Sequence, residues 1–449
     1  MRVVVIGLAE TGVAVTRVLR REGHDVTVVE DAPTGERFTA RAGEVRALGA
    51  LVVEAPDAVA ARALVADSDL VVPSPLVAPN HVMVRAAQDH GVPVRSEIDL
   101  AGERANAPIV AITGTNGKTT VTSMIAEMLT ASGRRASAVG NIGRPLIDAV
   151  VDDVDVFIVE VSSFQLAFAE TFRPTVAVLL AVTPDHLDWH GSFEEYSRAK
   201  ARITEHQGAN DVLVYDADDA VASAIAARSP ARTLCVTLRA DASDCARVQA
   251  GVLIDAESRE IAPLDAMRRA LLHDRTNALA ASVAARAAGA SPDGVRATLA
   301  SYATMPHRVA LVGEAIGVKW YDDSKATNPD ATLRAVGSFD SVVLLAGGRN
   351  KGLDLSVLAT EARRMRAVIA FGEAAPDVVA AFDAVDGPTV VSARSMHDAV
   401  IAANEIAQAG DVVLLSPACA SFDAYTGYAQ RGDDFAREVR QLLETETCR

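Results

Sequence analysis

Short apolar runs rich in β-branched residues alternate with helical patterns almost from end to end. The runs fall at 3–6, 26–29, 70–72, 109–113, 156–161, 176–180, 212–215, 342–345, 367–371 and 412–415. A helix can be traced between most consecutive runs. Such alternation favours parallel sheets with helices packed on their faces, an α/β architecture of the doubly wound kind. The chain has 449 residues, and at roughly 150 residues per domain this suggests about three domains. A polar stretch ending in Pro108 precedes a fresh strand, and a Met-Pro turn within 304–307 closes an Ala-rich helical region at 276–288 and 292–302. These shifts set expected domains at 1–104, 105–305 and 306–449.

Composition narrows the function. The net charge of −16 argues against a nucleic-acid backbone binder, though not against a local basic pocket. No apolar run approaches the ~20 residues of a membrane span. Residues 1–7 read as a buried strand entering a turn rather than a secretory signal. Cys235, Cys245, Cys419 and Cys448 show neither metal-ligand nor disulfide spacing. The expectation is a soluble, cytoplasmic protein. Of 43 basic residues only five are lysines: Lys118, Lys200, Lys319, Lys325 and Lys351. In so Arg-rich a chain, a retained lysine marks a candidate site that a guanidinium cannot serve.

Gly114-Thr115-Asn116-Gly117-Lys118-Thr119-Thr120 carries the strongest chemical signal. A buried strand runs into a Gly-rich loop and then into a helix at 121–129. Loop N–H groups and a helix N-terminus make an anion site. Lys118 suits terminal phosphates, and the Thr119 hydroxyl suits Mg²⁺. The loop is shorter than the usual eight-residue pattern, whose first Gly would fall at Ile112. Glu160 ends another apolar strand, where an acid is costly unless paired or metal-bound. Asp185, His186, Asp188 and His190 follow a third strand. One His serving Mg²⁺ or substrate fits better than a zinc centre, which needs a further ligand cluster. Gly7-Leu-Ala-Glu-Thr-Gly12 opens a helix, with Glu30 and Asp31 ending the next strand. That arrangement suits either a nucleotide site or an ordinary Rossmann-like turn.

These motifs occur in one order with His307-Arg308, Asp323-Ser-Lys-Ala-Thr-Asn328, Gly347-Gly348, Lys351-Gly352 and Ser416-Pro-Ala-Cys-Ala-Ser421. The chain resembles the Mur ligases over essentially its whole length. Within them the Asp323–Asn328 and Ser416–Ser421 segments resemble the D-glutamate-adding branch. The resemblance implies three domains: a Rossmann-like UDP-binding domain, a central ATPase domain of P-loop type, and a C-terminal dinucleotide-fold domain that closes over the site. It implies ATP-dependent addition of D-glutamate to UDP-N-acetylmuramoyl-L-alanine through an acyl phosphate, in a monomer needing ATP and two Mg²⁺ ions. Residue by residue, it assigns Gly114 to Thr120, Asn277, Arg308 and Asp323 to ATP. Glu30 and Asp31 go to the uracil end, and Asn141 and Ser162 to the sugar-peptide portion. Thr327, Lys351, Ser421 and Tyr428 go to D-glutamate, and Thr119, Glu160, His186 and a carbamylated Lys200 to metal. Lys118, Glu160, His186 and Lys200 form the catalytic set. Ala9, Leu76, Asp274 and Arg349 depart from the family pattern. The alternatives are a related Mur-type or folylpolyglutamate-type ligase, or an ATPase module that needs only the phosphate loop and Glu160.

Overall fold

The computed structural model describes residues 1–303, 305–383, 385 and 387–447. Thr304, in the expected boundary turn, and Cys448 lie outside them. Three sheets organise the chain. The first takes β1 (Arg2–Ile6), β2 (Asp25–Glu30), β3 (Leu51–Glu54) and β4 (Leu70–Pro73) in the order β3-β2-β1-β4, all parallel. The second takes β5 (Ile109–Thr113), β6 (Ala136–Gly140), β7 (Val156–Glu160), β8 (Val176–Leu179), β9 (Val212–Asp216), β10 (Arg232–Thr237), β11 (Ala246–Gln249), β12 (Val252–Ile254) and β13 (Glu260–Pro263). Their order is β13-β12-β11-β10-β9-β8-β5-β7-β6. The third takes β14 (Ala310–Ala315), β15 (Val318–Asp322), β16 (Val342–Gly347), β17 (Met365–Phe371), β18 (Thr389–Ala393) and β19 (Val412–Ala418) in the order β14-β15-β19-β16-β17-β18.

The parallel α/β expectation holds for the central strands. Two edges depart from it: β11, β12 and β13 meander antiparallel, and β14 pairs antiparallel with β15. Antiparallel strands need only short turns, so β12, β13 and β14 add to a sheet edge without a crossover helix, whereas β11 joins β10 in parallel through the helix-free stretch 238–245. β11, β13 and β14 mix polar and apolar residues, whereas β5, β7, β8, β16 and β19 are buried at every position. Strands covered by helices on both faces read as continuous apolar runs.

By contact density the chain forms two compact units. The first, Met1–Val182 with Trp189–Met267 and Thr276–Ser301, carries the first two sheets. One apolar cluster runs through both: Val5, Leu19 and Val28 belong to it, with Ile98, Leu146, Phe157 and Leu179. The second unit, Thr183–Asp188 with Arg268–Arg275 and Tyr302–Arg449, has apolar cores on both faces of the third sheet, around Leu344 and Leu414 on one and Trp320 and Phe435 on the other.

One cysteine expectation is corrected. Cys235 and Cys245 form a disulfide. β10 and β11 run in parallel register with Val236 opposite Ala246, so the preceding residues meet across the ladder. Spacing along the chain carries no sign of that pairing. Cys419 is buried and free, and burial pushes its thiol up to about 12. No helix among the described residues is long and apolar enough to cross a membrane.

Candidate active site

The C-terminal ends of β5, β7, β6 and β8 lie side by side in the second sheet. The chain runs from β5 out to β6, returns through β7, and then crosses to β8 on the other side of β5. Open α/β sheets bind ligands at the crevice beyond the strand ends where the order reverses. The Gly114–Thr120 loop lies at that place.

Gly114 and Gly117 have φ of +151° and +84°. A Cβ on Gly114 would lie 2.6 Å from Leu180 Cβ, and one on Gly117 2.6 Å from Asn277 Oδ1. Only glycine gives this loop its shape. Gly117 is the N-cap of the helix Lys118–Ala131, so no side-chain cap covers its first-turn N–H groups. Lys118 Nζ donates to the carbonyls of Gly114 and Thr115, 2.9 Å each. Thr119 and Thr120 are buried in the first turn. The Tyr196 hydroxyl and Thr115 Oγ1 share a hydrogen bond of 2.9 Å. The sequence does not single out Tyr196; its burial and its bond to Thr115 appear only in the fold.

Lys200 is 1% exposed. Its Nζ donates to Gly114 O at 2.7 Å and lies 4.7 Å from the centre of the Tyr196 ring. The helix Phe193–Ala201, capped by Ser192 on the N–H of Glu195, carries it to the loop. Two lysines therefore donate to the carbonyl of one glycine. Glu160, 2% exposed, ends β7. Its Oε1 accepts from Asn141 Nδ2 at 2.7 Å, while its buried Oε2 has no hydrogen-bond partner. An unpaired buried carboxylate oxygen is costly, and a hard cation would satisfy it. The residues therefore fit a Mg²⁺ ligand role for Glu160. Asn277 reaches the same loop from the helix Leu272–Ala287.

Ser162 caps the short helix Ser163–Ala167 in a reciprocal capping box with Gln165. Glu30 and Asp31, at the end of β2, are engaged locally. Glu30 Oε2 accepts the N–H of Leu8 and Oε1 that of Ala32, which holds the Gly7–Gly12 turn. Asp31 pairs with His81 at 2.8 Å. The departure at Leu76 leaves an exposed side chain, and its carbonyl accepts from Trp189 Nε1.

In the second unit the ends of β15, β19 and β16 are adjacent. Asp323 is buried after β15, where the Ser416 hydroxyl donates to Oδ2 at 2.8 Å. Burial pushes its carboxyl up to about 7, against the pull of Ser416 and Arg308. Lys351 pairs with Asp185, and Asn328 Nδ2 donates to Asp185 at 3.1 Å. Burial works to raise the Asp185 carboxyl, but Lys351, His186 and these bonds outweigh it and hold it below the usual range. Ser421 is buried, Thr327 and Tyr428 are half-buried, and Lys325 Nζ lies 5.1 Å from the Tyr428 ring centre. Arg431, which sequence reading also missed, is fully buried and donates to Ser324, Gly347, Cys419 and Ala420. One guanidinium thus fastens three strand-end loops. Asp274 explains its own departure through a forked ion pair with Arg269 at 2.7 and 2.8 Å. Arg349 pairs with Glu373 at the surface. His186, His307, Val309 and Ala418 all have positive φ. Ala55, Ala250, Ser258 and Ile316 share the conformation elsewhere in the chain, so positive φ by itself does not mark the site.

A Gly-rich loop, a helix N-terminus without a side-chain cap, two lysines on one carbonyl and an acid with an unsatisfied oxygen make this strand-end crevice the candidate anion site. The chain belongs to the Mur ligase family. Residues 112–285 match the Mur ligase middle domain and residues 307–419 the Mur ligase glutamate ligase domain. It is 41% identical to the UDP-N-acetylmuramoylalanine--D-glutamate ligase of Desulfosudis oleivorans, over 100% of this chain and 98% of that protein. It is also 41% identical to the ligase of the same name from Frankia casuarinae, over 98% of this chain and 93% of that protein. The fold matches MurF from Acinetobacter baumannii (TM-score 0.62, 15% identity, 96% of this chain and 93% of that one). It also matches a pseudomurein peptide ligase from Methanothermus fervidus (TM-score 0.60, 18% identity, 98% and 99%).

Proposed function

We propose that this chain joins D-glutamate to UDP-N-acetylmuramoyl-L-alanine at the expense of ATP, making an amide bond in peptidoglycan precursor synthesis. Likeness to D-glutamate ligases at 36–41% identity over nearly the whole chain carries the reading. We place the activity in the cytoplasm, in a monomer, with domain boundaries near residues 104 and 305.

A carboxylate does not condense with an amine in neutral water, so it must first be activated. On this reading the γ-phosphoryl group of ATP passes to the carboxylate of the L-alanyl substrate, with ADP leaving. The D-glutamate amine then attacks the acyl carbon and phosphate departs, its proton balance closed by loss of one amine proton. Phosphoryl transfer chiefly needs alignment and charge neutralisation. The loop N–H groups hold the phosphates, and Lys118, turned from the Gly114 and Thr115 carbonyls, neutralises the transferring group. Mg²⁺ supplies further neutralisation; Thr119, Glu160, His186 and a carbamylated Lys200 are its proposed ligands, in two sites. Asn277, Arg308 and Asp323 hold the adenosine end. Glu30 and Asp31 lie toward uracil, and Asn141 and Ser162 bind the sugar-peptide portion. Lys351, Thr327, Ser421 and Tyr428 bind D-glutamate; its carboxylate replaces Asp185 as the partner of Lys351.

The direct test supplies ATP, Mg²⁺ and UDP-N-acetylmuramoyl-L-alanine with each amino acid in turn and measures phosphate release. D-Glutamate should stimulate release at least about 10²-fold over L-glutamate, the discrimination that buried polar contacts give. Equal release with every amino acid, or with none, contradicts the proposal. For Lys200, the Ala variant should lose activity and regain part of it with a small carboxylic acid.

A further inference from the structure

Glu97 lies outside every role assigned above. It opens the short helix Glu97–Gly102 and is 1% exposed. A buried Glu is rare without a reason for its charge. Its Oε1 accepts the N–H of Ile147 at 2.8 Å, and its Oε2 lies 3.5 Å from Gln165 Nε2. Ile147 belongs to the short helix Leu146–Ala149 that follows the loop bearing Asn141. Gln165 is the second half of the Ser162 capping box. One carboxylate thus touches the two segments that carry Asn141 and Ser162.

Hydrogen-bond bookkeeping at Ser162 gives this contact a consequence. Gln165 Oε1 accepts the Ser162 N–H at 2.9 Å and the Ser162 hydroxyl at 2.8 Å. The Gln165 N–H donates back to Ser162 Oγ at 3.2 Å. The hydroxyl proton is therefore committed, as is one lone pair. A hydroxyl has one donor and two acceptor positions, so Ser162 meets a ligand only as an acceptor. That polarity holds while the Gln165 amide keeps Oε1 toward Ser162 and Nε2 toward Glu97. Burial pushes the Glu97 carboxyl up to about 7 against the bonds from Ile147 and Gln165, so above that pH it only accepts. A flipped amide would then set its oxygen against the carboxylate and its NH₂ against the Ser162 N–H, two repulsive contacts in a buried place.

We propose that Glu97 is a positioning residue for the UDP-sugar-peptide substrate. Its buried carboxylate fixes the Gln165 amide so that Ser162 offers a lone pair to a substrate N–H or O–H, and its bond to Ile147 steadies the Asn141 segment. The inference rests on the reading of Ser162 and Asn141 as substrate contacts.

Steady-state kinetics of the full-length enzyme test it, with each substrate varied in turn. Glu97→Gln keeps the volume but sets an NH₂ or a weaker acceptor where the carboxylate stood. KM for UDP-N-acetylmuramoyl-L-alanine should rise about 10-fold, as for one lost buried hydrogen bond, while KM for ATP and D-glutamate and kcat stay within about 3-fold. Gln165→Met should show the same split, and Glu97→Gln/Gln165→Met should be no worse than the worse single variant, because the two act in series. Should Glu97→Gln fail to fold, Gln165→Met carries the same expectation. Equal rises in all three KM values, or additive losses in the double variant, overturn the proposal in favour of general structural support. Ser162→Ala separates the two layers. If it raises the same KM and Glu97→Gln does not, the Glu97 proposal alone fails; if Ser162→Ala leaves that KM unchanged, the reading of Ser162 fails and takes the proposal with it.

Discussion

Individual residues show how far chemistry can be read along the chain. Lys118 and Glu160 were legible from the phosphate loop and from an acid ending an apolar strand, whereas Lys200 stood out only as a scarce lysine and took its metal role from the resemblance. The structure buries Glu160 and Lys200 and sets Lys118 and Lys200 on one loop carbonyl. Tyr196, Glu97 and Arg431 were not legible. Each sits in a helix of ordinary composition, and its partners lie far along the chain. Glu160→Gln should keep the Asn141 bond through Oε1 yet lose the charge that suits Mg²⁺. A fall of at least about 10²-fold in kcat/KM, with a raised Mg²⁺ requirement, is expected from loss of one charged ligand. Titrating Mg²⁺ against rate checks it, and an unaltered requirement would remove Glu160 from the metal site. Asp323 carries a pH dependence. Its folded value near 7 lies above the ordinary 3.8, so between those values the folded state holds the extra proton. Stability then falls as pH rises through that window and levels off above it. Thermal unfolding of Asp323→Asn at pH 5 and pH 8 should show a smaller fall than the parent protein.

At the level of elements, the fully buried strands that end at the site were legible, whereas β6 and β15, which also end there, and most strands toward the sheet margins were not. β5, β7, β8, β16 and β19 are covered on both faces and read as apolar runs. β3, β10 and β18 carry exposed polar positions, and β6 has only Val139 among Ala, Ser and Gly, which lack the side chains a pleated surface favours. The disulfide escaped for a related reason, since parallel register rather than spacing brings Cys235 to Cys245. The phosphate loop depends on backbone shape more than on any side chain. Gly117→Ala would force a Cβ to within 2.6 Å of Asn277 Oδ1 at a φ of +84°. The left-handed conformation alone costs about 1–2 kcal/mol in a non-glycine residue. ATP binding should weaken at least about 10-fold in calorimetry, with the second unit's unfolding unaffected. Unchanged ATP affinity would mean that the loop tolerates another path.

For the whole molecule, three sheets serve one reaction class. The class was legible because motifs recur in a fixed order at strand ends. The packing between the first two sheets was not: the polar, Pro-ended stretch near residue 104 looks like a break, yet Ile98 and Leu100 beside it enter a core continuous with Phe157 and Leu179. The central claim is that the loop and its lysines activate a bound carboxylate rather than merely hydrolyse ATP. Following an ¹⁸O label placed in the carboxylate of UDP-N-acetylmuramoyl-L-alanine tests this most directly. Transfer through an acyl phosphate predicts one labelled oxygen in the inorganic phosphate for each ADP and each new amide bond formed. Phosphate released without label, while the amide still forms, would contradict the account.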